Sequence, residues 1–211
     1  MTGPHDGYEA DCTAATPVMR RRAAAVDLPG IVAIHRSAYS RSHFTSLLSA
    51  ATLERYYAGF LGDGTQITVA TNGTAIDARL LGFAVYGTGI PQKIAAFKRS
   101  CARDILMTSL RHPWTAGRKV LKAVRSRLSG HVAVEPAEFL LLSIAVAPKT
   151  SGVGAQLLRD LLAAARNAGH EKVGLYVNDD NLRAINAYHR AGFRMRELHS
   201  GQYYMDVALT L

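Results

Sequence analysis

Residues 143–165 read SIAVAPKTSGVGAQLLRDLLAAA, an apolar run that loosens around Gly152 and Gly154 and resumes at once as a leucine-rich segment. A loop between a buried strand and a helix start leaves backbone N–H groups unpaired beside the positive end of the helix dipole. Glycines there let a ligand approach the backbone closely. Such a turn suits an anion, with a diphosphate as its natural guest, and a plain tight turn is the competing reading. The Gly-x-Gly-x-x-Gly pattern and the loop ending in Gly-Lys-Ser/Thr are both missing, which disfavours dinucleotide and nucleoside-triphosphate sites. A second constellation follows one strand later. NDDNLRAINAYHRAGF, residues 178–193, sets Asn181, Ala184, Tyr188, Gly192 and Phe193 at fixed spacing. Asn181 suits a helix N-cap, and Tyr188 also fits a core position at helical spacing with Ala184 and Ile185.

The elements that must position these residues follow from periodicity. Residues 1–17 have no apolar period and read as a loose terminus, so 18–211 make one domain. VMRRRA predicts a short strand. Asp27 stands as a cap before LPGIVAIHRSAY, a helix with Pro29 in its first turn and Ile31, Ile34 and Ala38 at helical spacing. A second helix fits SAATLERYYAGFL, and QITVAT and RLLGFAVYG suit antiparallel pairing around Asn72-Gly73. Ile94, Phe97, Cys101 and Ile105, then Val120, Leu121, Val124 and Leu128, predict two amphipathic helices over 93–110 and 115–128, broken near Pro113, inside a helical insert at 88–134. FLLLSIAV does not alternate and predicts a strand buried on both faces. Leu157, Leu158, Leu161, Leu162 and Ala165 form one stripe of a helix stopped by Gly169. KVGLYV, a helix from Leu182 to Ala191 and the strand GQYYMDVAL complete the chain. The two strands flanking the leucine-rich helix must be parallel through a right-handed crossover, so the fold class is α/β with a mixed, twisted sheet flanked by helices.

The chain of 211 residues carries a net charge of +9, and its location is informative. Between Gln92 and Gly130 ten basic residues face one acid, Asp104, leaving fifteen of each sign elsewhere. This local excess points to an acidic partner and not to a general solubility device. The longest strongly apolar stretch, Phe139 to Pro148, is too short to cross a bilayer, and Met1 to Pro17 lacks the basic start and apolar centre of a secretion signal. A soluble, cytoplasmic protein is expected. Cys12 and Cys101 make neither a disulfide framework nor a metal cluster, so no structural metal is expected.

The glycine loop and the Asn-x-x-Ala…Tyr…Gly-Phe helix, in this order and about one βαβ unit apart, resemble the two signatures of the GNAT superfamily of acyl-CoA-dependent N-acyltransferases. The resemblance extends from Val18 to the C-terminus apart from the basic insert. It implies a GNAT fold, acetyl-CoA as co-substrate and a small-molecule amine as acceptor. Lys149 stands where the family has Gln or Arg, and the loop is two residues shorter than many bacterial versions; a cation there still suits a pyrophosphate. By the resemblance, Lys149, Thr150, Ser151, Gly152, Val153, Gly154 and Ala155 hold the pyrophosphate of coenzyme A, while Ile144, Ala145 and Val146 hydrogen-bond the pantetheine arm through their backbone and supply an N–H to the reacting oxygen. Asn181 lies near coenzyme A as well as capping its helix. Tyr188 returns a proton to the leaving thiolate. Glu138, in the pattern Glu-x-x-x-x-Ser-Ile, is similar to the glutamate base of histone-type members; an exposed acid at a strand end is the competing reading, and Glu135 is the fallback.

The acceptor pocket in relatives is often built around the first helix, which draws attention to Tyr39, His35 and His43, although a lone histidine there is more often surface or satisfied core. Tyr56 and Tyr57 read as packing residues, and Trp114 as an interfacial anchor or a packing residue. HFTSLLSAATLERYY followed by a helical insert resembles members that acetylate amino sugars in surface-polysaccharide synthesis, so a nucleotide- or lipid-linked amino sugar is the expected acceptor. Protein N-termini, lysines, polyamines and aminoglycosides are the other amines in view. The rival reading is a GNAT-fold binding module whose basic insert meets nucleic acid or an anionic membrane. The sequence allows a homodimer without specifying one.

Overall fold

The strands Met19–Arg22 (β1), Thr65–Thr71 (β2), Leu80–Gly87 (β3), Phe139–Val146 (β4), Lys172–Asn178 (β5), Arg194–His199 (β6) and Gln202–Ala208 (β7) form one sheet in the computed structural model. Their order is β1-β2-β3-β4-β5-β7-β6. The structure describes residues 18–39, 44–74, 78–111, 135–199 and 201–209. Neighbours run antiparallel except β4 and β5, which are parallel. The helices are Leu28–Ala38 (α1), Ala50–Ala58 (α2), Ile90–Ser100 (α3), Ala102–Arg111 (α4), Val153–Asn167 (α5) and Leu182–Arg190 (α6). The expected mixed sheet with helices on both faces is therefore present.

Two apolar cores sit on opposite faces of the sheet. On one, the α5 stripe of Leu157, Leu158, Leu161, Leu162 and Ala165 packs with Ile185 and Tyr188 of α6 against Phe139, Leu141, Val173, Leu175 and Val177. On the other, Ile31, Val32 and Ile34 of α1 and Leu53, Tyr56 and Tyr57 of α2 pack on Ile67, Val69, Phe83 and Val85. Alternation along β3 produces this division: Ala84 and Tyr86 enter the first core, Phe83 and Val85 the second. Each leucine buried in this way contributes about 1.5 to 3 kcal/mol relative to exposure.

Three sequence expectations change. Asp27 occupies the N-cap of α1, yet its side chain makes no cap bond to that helix. Its carboxylate instead accepts two bonds from Arg21, at 2.6 and 2.7 Å, and one from the Ala24 amide. The single helix expected over 93–110 is two helices, because the chain leaves helical geometry at the buried Cys101. The edge strand β6, with Arg194, Arg196 and Glu197 among its six residues, has no counterpart in the sequence reading. The second expected insert helix, with Trp114, Arg118, Lys119, Lys122, Arg125 and Arg127, lies outside the described residues, as do His43 and the 1–17 terminus.

Among the described residues no helix is long and apolar enough to cross a membrane. The described residues also contain no group of three or more His, Cys, Asp or Glu side chains placed to hold a metal ion.

Candidate active site

The parallel strands β4 and β5 stay together only briefly. Phe139, Leu140 and Leu141 pair with Val173, Gly174 and Leu175, and beyond Leu141 the two strands part. One residue accounts for part of the divergence. On the other edge of β4, Val85 pairs with Ser143 but Tyr86 with Leu141, so Leu142 is an extra residue and β4 bulges there. A bulge bends its strand and raises the local twist. Past the bulge, the Ala147 amide bonds to the Leu81 carbonyl on β3. Backbone groups alternate sides along a strand, so the amides and carbonyls of Ile144 and Val146 turn toward the gap.

The glycine loop stands at the open end of this gap. Ala147 to Thr150 form a tight turn closed by the Thr150 hydroxyl on the Ala147 carbonyl at 2.6 Å. Lys149 takes the positive φ of 63°, the one non-glycine residue described that does so. That position ordinarily takes glycine after a proline, and the left-handed backbone costs a lysine about 1 kcal/mol or more. Gly152, at φ 74°, is the N-cap of α5, and no side chain caps the helix start. A Cβ built on Gly152 meets nothing within 4 Å, and one on Gly154 meets only Val146 Cγ1 at 3.8 Å. Nothing in the protein's own packing forbids a side chain at Gly154, although glycine in a helix costs about 1 kcal/mol relative to alanine. Space left open over bare helix-start amides fits an incoming diphosphate.

Asn181 begins α6 just past β5 and caps it, its side chain accepting the Ala184 amide at 3.2 Å. About two turns further on, Tyr188 is buried beside Phe193, with ring centroids 5.9 Å apart. Burial pushes its hydroxyl well above the usual tyrosine range, and nearby Tyr39 adds to the shift. The loop, the Ile144–Val146 backbone and Tyr188 thus share the divergent end of the two strands. Glu138 does not join them. It precedes Phe139 at the paired end of β4, its side chain is 78% exposed, and its carboxylate lies 3.8 Å from His170. Five residues, about 16 Å of extended chain, separate it from Ser143. Glu135 is exposed and lies further back in the chain.

A polar cluster joins Ser143 to Tyr39 and His35, which the sequence marked for the acceptor side, and to Tyr57, which it read as packing. Ser143, at the bulge, lies 2.9 Å from the Tyr39 hydroxyl and 3.5 Å from that of Tyr57. Tyr39 also donates to the Ile144 carbonyl at 3.3 Å. His35 Nδ1 meets the Tyr57 hydroxyl at 2.6 Å, and the imidazole stacks on Tyr39. Burial raises the hydroxyls of Tyr39, Tyr56 and Tyr57 above the usual range. The visible signal in the sequence was Ser143, the one polar residue in FLLLSIAV.

The family model described as Acetyltransferase (GNAT) family matches residues 94–193. Among solved structures the chain is similar to Ard1 from Thermoplasma volcanium, at 16% identity and a TM-score of 0.56, covering 92% of this chain and 99% of that one. It is similar to the ribosomal-protein-S18-alanine N-acetyltransferase from Escherichia coli at 16% identity and 0.54, covering 92% and 96%. A PaiA N-acetyltransferase from Thermoplasma acidophilum, in complex with coenzyme A, matches at 12% identity and 0.53, covering 92% and 99%. At such identities the likeness is one of fold. No curated protein matches the chain by sequence. The solved structures show the fold, and the family model supports an acyl-CoA-dependent N-acetyltransferase.

Proposed function

We propose, for a chain with the GNAT acetyltransferase fold, that it moves an acetyl group from acetyl-CoA to a primary amine by direct attack, and that the amine is borne on a nucleotide- or lipid-linked amino sugar. The observation that carries the transfer reading is the separation of β4 from β5 beyond Leu141, with the glycine loop and Tyr188 at the opening. Acetyl-CoA supplies the activated acyl group. Residues Lys149 to Ala155 hold its diphosphate through bare amides and one cation, and the gap-facing backbone of Ile144 and Val146 takes the place of a missing strand beside the pantetheine arm. An amide on that same edge offers the hydrogen bond that the acyl oxygen needs as it gains charge. Tyr188, kept protonated by burial, donates to the departing thiolate.

Charge supports a phosphate-bearing acceptor. In α3 and α4 the acid Asp104 is already held by Arg55 and Thr52, which leaves Lys93, Lys98, Arg99, Arg103 and Arg111 in excess. Arg111 and Arg36 line one cleft of about 200 Å³ with Ser49 and Thr108, and among the described residues no carboxylate lines it. Two guanidinium groups about one cleft are relieved by an anion. The test is a panel of amines assayed by release of free coenzyme A thiol, containing nucleotide-linked amino sugars, their phosphate-free counterparts, polyamines and peptides with free N-termini. The expected outcome is highest kcat/KM on a phosphate-bearing amino sugar, falling as salt rises. Equal turnover of phosphorylated and phosphate-free sugars at low and high salt would remove the acidic acceptor, and no thiol release with any amine would remove the transfer itself.

A further inference from the structure

The buried cluster at the β4 bulge has a direction. It starts at Ser143, beside the gap, and runs through the Tyr57 hydroxyl to the His35 imidazole, which is 3% exposed. Burying such groups costs free energy that an apolar core of the same shape would avoid. Tyr57 itself has the packing of a phenylalanine, edge-on to Phe83 at 5.3 Å and to Tyr56 at 5.2 Å. Its hydroxyl is therefore an addition to a ring that already packs. Meanwhile the carboxylate best placed by sequence, Glu138, stands at the paired end of the strand. An amine that arrives protonated must lose its proton inside the gap.

We propose that Ser143, Tyr57 and His35 form a hydroxyl relay that withdraws this proton, with Tyr39 holding Ser143 in place. The proposal rests on the N-acetyl transfer argued above. One N–H bond of the ammonium breaks as its proton passes to the Ser143 oxygen. The proton already on Ser143 passes to the Tyr57 oxygen, and that of Tyr57 passes to His35 Nδ1. The nitrogen keeps its electron pair for attack, and the charge ends on the imidazolium. The relay requires the tautomer with its proton on Nε2, so that Nδ1 accepts from Tyr57 at 2.6 Å. The longest step, 3.5 Å between Tyr57 and Ser143, is of the kind that tightens when substrate binds. Ser143 is the member that would touch substrate; Tyr57 and His35 act through it. Among the described residues, the titratable groups facing the relay include Tyr39 at the end of α1, Tyr56 from α2 and, beyond Tyr39, Tyr188 from α6.

The test compares two small probes, ethylamine, which is protonated at neutral pH, and 2,2,2-trifluoroethylamine, whose fluorines leave it largely neutral. Thiol release is followed with the full chain and its Ser143→Ala, Ser143→Thr and Tyr57→Phe variants, and coenzyme A affinity is measured by calorimetry on each. In Ser143→Ala and Tyr57→Phe, kcat/KM on ethylamine at neutral pH should fall by about a hundredfold, the usual scale of lost general-base help. The fall on trifluoroethylamine should be less than about threefold, since that amine has no proton to lose before attack. Activity on ethylamine should return as pH rises, and Ser143→Thr, which keeps the hydroxyl, should restore most of it at neutral pH. An equal fall on both amines assigns the cluster to packing and overturns the relay, as does unchanged activity on both. If Tyr57→Phe does not fold, Ser143→Ala decides alone. Failure of the transfer reading shows on the parent protein, as no thiol release with these amines or with any amine of the panel above, whereas failure of the relay shows in the ratio between amines across the variants.

Discussion

Tyr39 and Ser143, 104 positions apart in the chain, meet at 2.9 Å where β4 bulges, and the same tyrosine hydroxyl reaches the Ile144 carbonyl on the edge that β5 has left. The contact ties the end of α1 to the strand that borders the gap.

The openness around Gly154 gives an outcome in which stability and binding move apart. Gly154→Glu places a good helix former, with a negative charge, in the first turn of α5, where an added side chain meets only Val146 Cγ1 at 3.8 Å. The melting temperature should stay level or rise. Coenzyme A affinity by calorimetry should fall by about a hundredfold or more as the carboxylate meets the diphosphate. A variant that binds coenzyme A as tightly as the parent would move the diphosphate site elsewhere.

Tyr188→Phe removes one hydroxyl from a buried ring and leaves the packing against Phe193 in place. Turnover should drop by about ten- to a hundredfold with coenzyme A affinity within about twofold of the parent. Because burial holds the Tyr188 hydroxyl above the usual range, the parent should show no loss of activity from its ionisation up to about pH 10. A basic limb in the parent's pH–rate profile below that, absent in the variant, would contradict the assignment.

Glu138 supplies a contrast. Its exposed carboxylate faces His170 at the closed end of the strand pair. Glu138→Gln should leave kcat/KM within about twofold of the parent from about pH 6 to 9. An acid-limb shift confined to this variant would return Glu138 to the reaction.

The Arg21–Asp27 pair sets a pH dependence of stability. The hydrogen bonds from Arg21, foremost, hold the Asp27 carboxyl below the usual carboxylate range. A depressed folded value contributes stability above the unfolded pKa, about 3.9, and loses it as pH falls through the lower folded value. Asp27→Asn should cost about 1 to 2 kcal/mol near neutral pH, measured by denaturant unfolding. The gap between parent and variant should close toward about pH 3, and a constant gap across that range would exclude the ion pair as its source.

Much of this architecture was legible because it is written in periodicity. The α5 stripe from Leu157 to Ala165 and the apolar run of β4 identify a strand and its crossover helix without further help. Gly152 and Asn181 stand at the starts of α5 and α6, just past β4 and β5, and Tyr188 lies on the buried face of α6. The β6 strand escaped because Arg194, Arg196 and Glu197 break any apolar pattern on an edge strand held by its pairing with β7, which periodicity does not encode. The bulge at Leu142 escaped for a related reason. A one-residue slip against β3 leaves an unbroken apolar run unchanged in composition, yet it decides that Ser143 turns toward Tyr39 and Tyr57. His35 looked like a lone histidine because its partner is 22 positions away on another helix.

Three rungs join β4 to β5, where seven join β5 to β7. The sheet is therefore two panels on a short seam, and the edge of β4 beyond Leu141 runs without a strand beside it. A ligand lying along that edge does the work of an eighth strand. Its binding energy adds to the core that α5 and α6 already build across both panels.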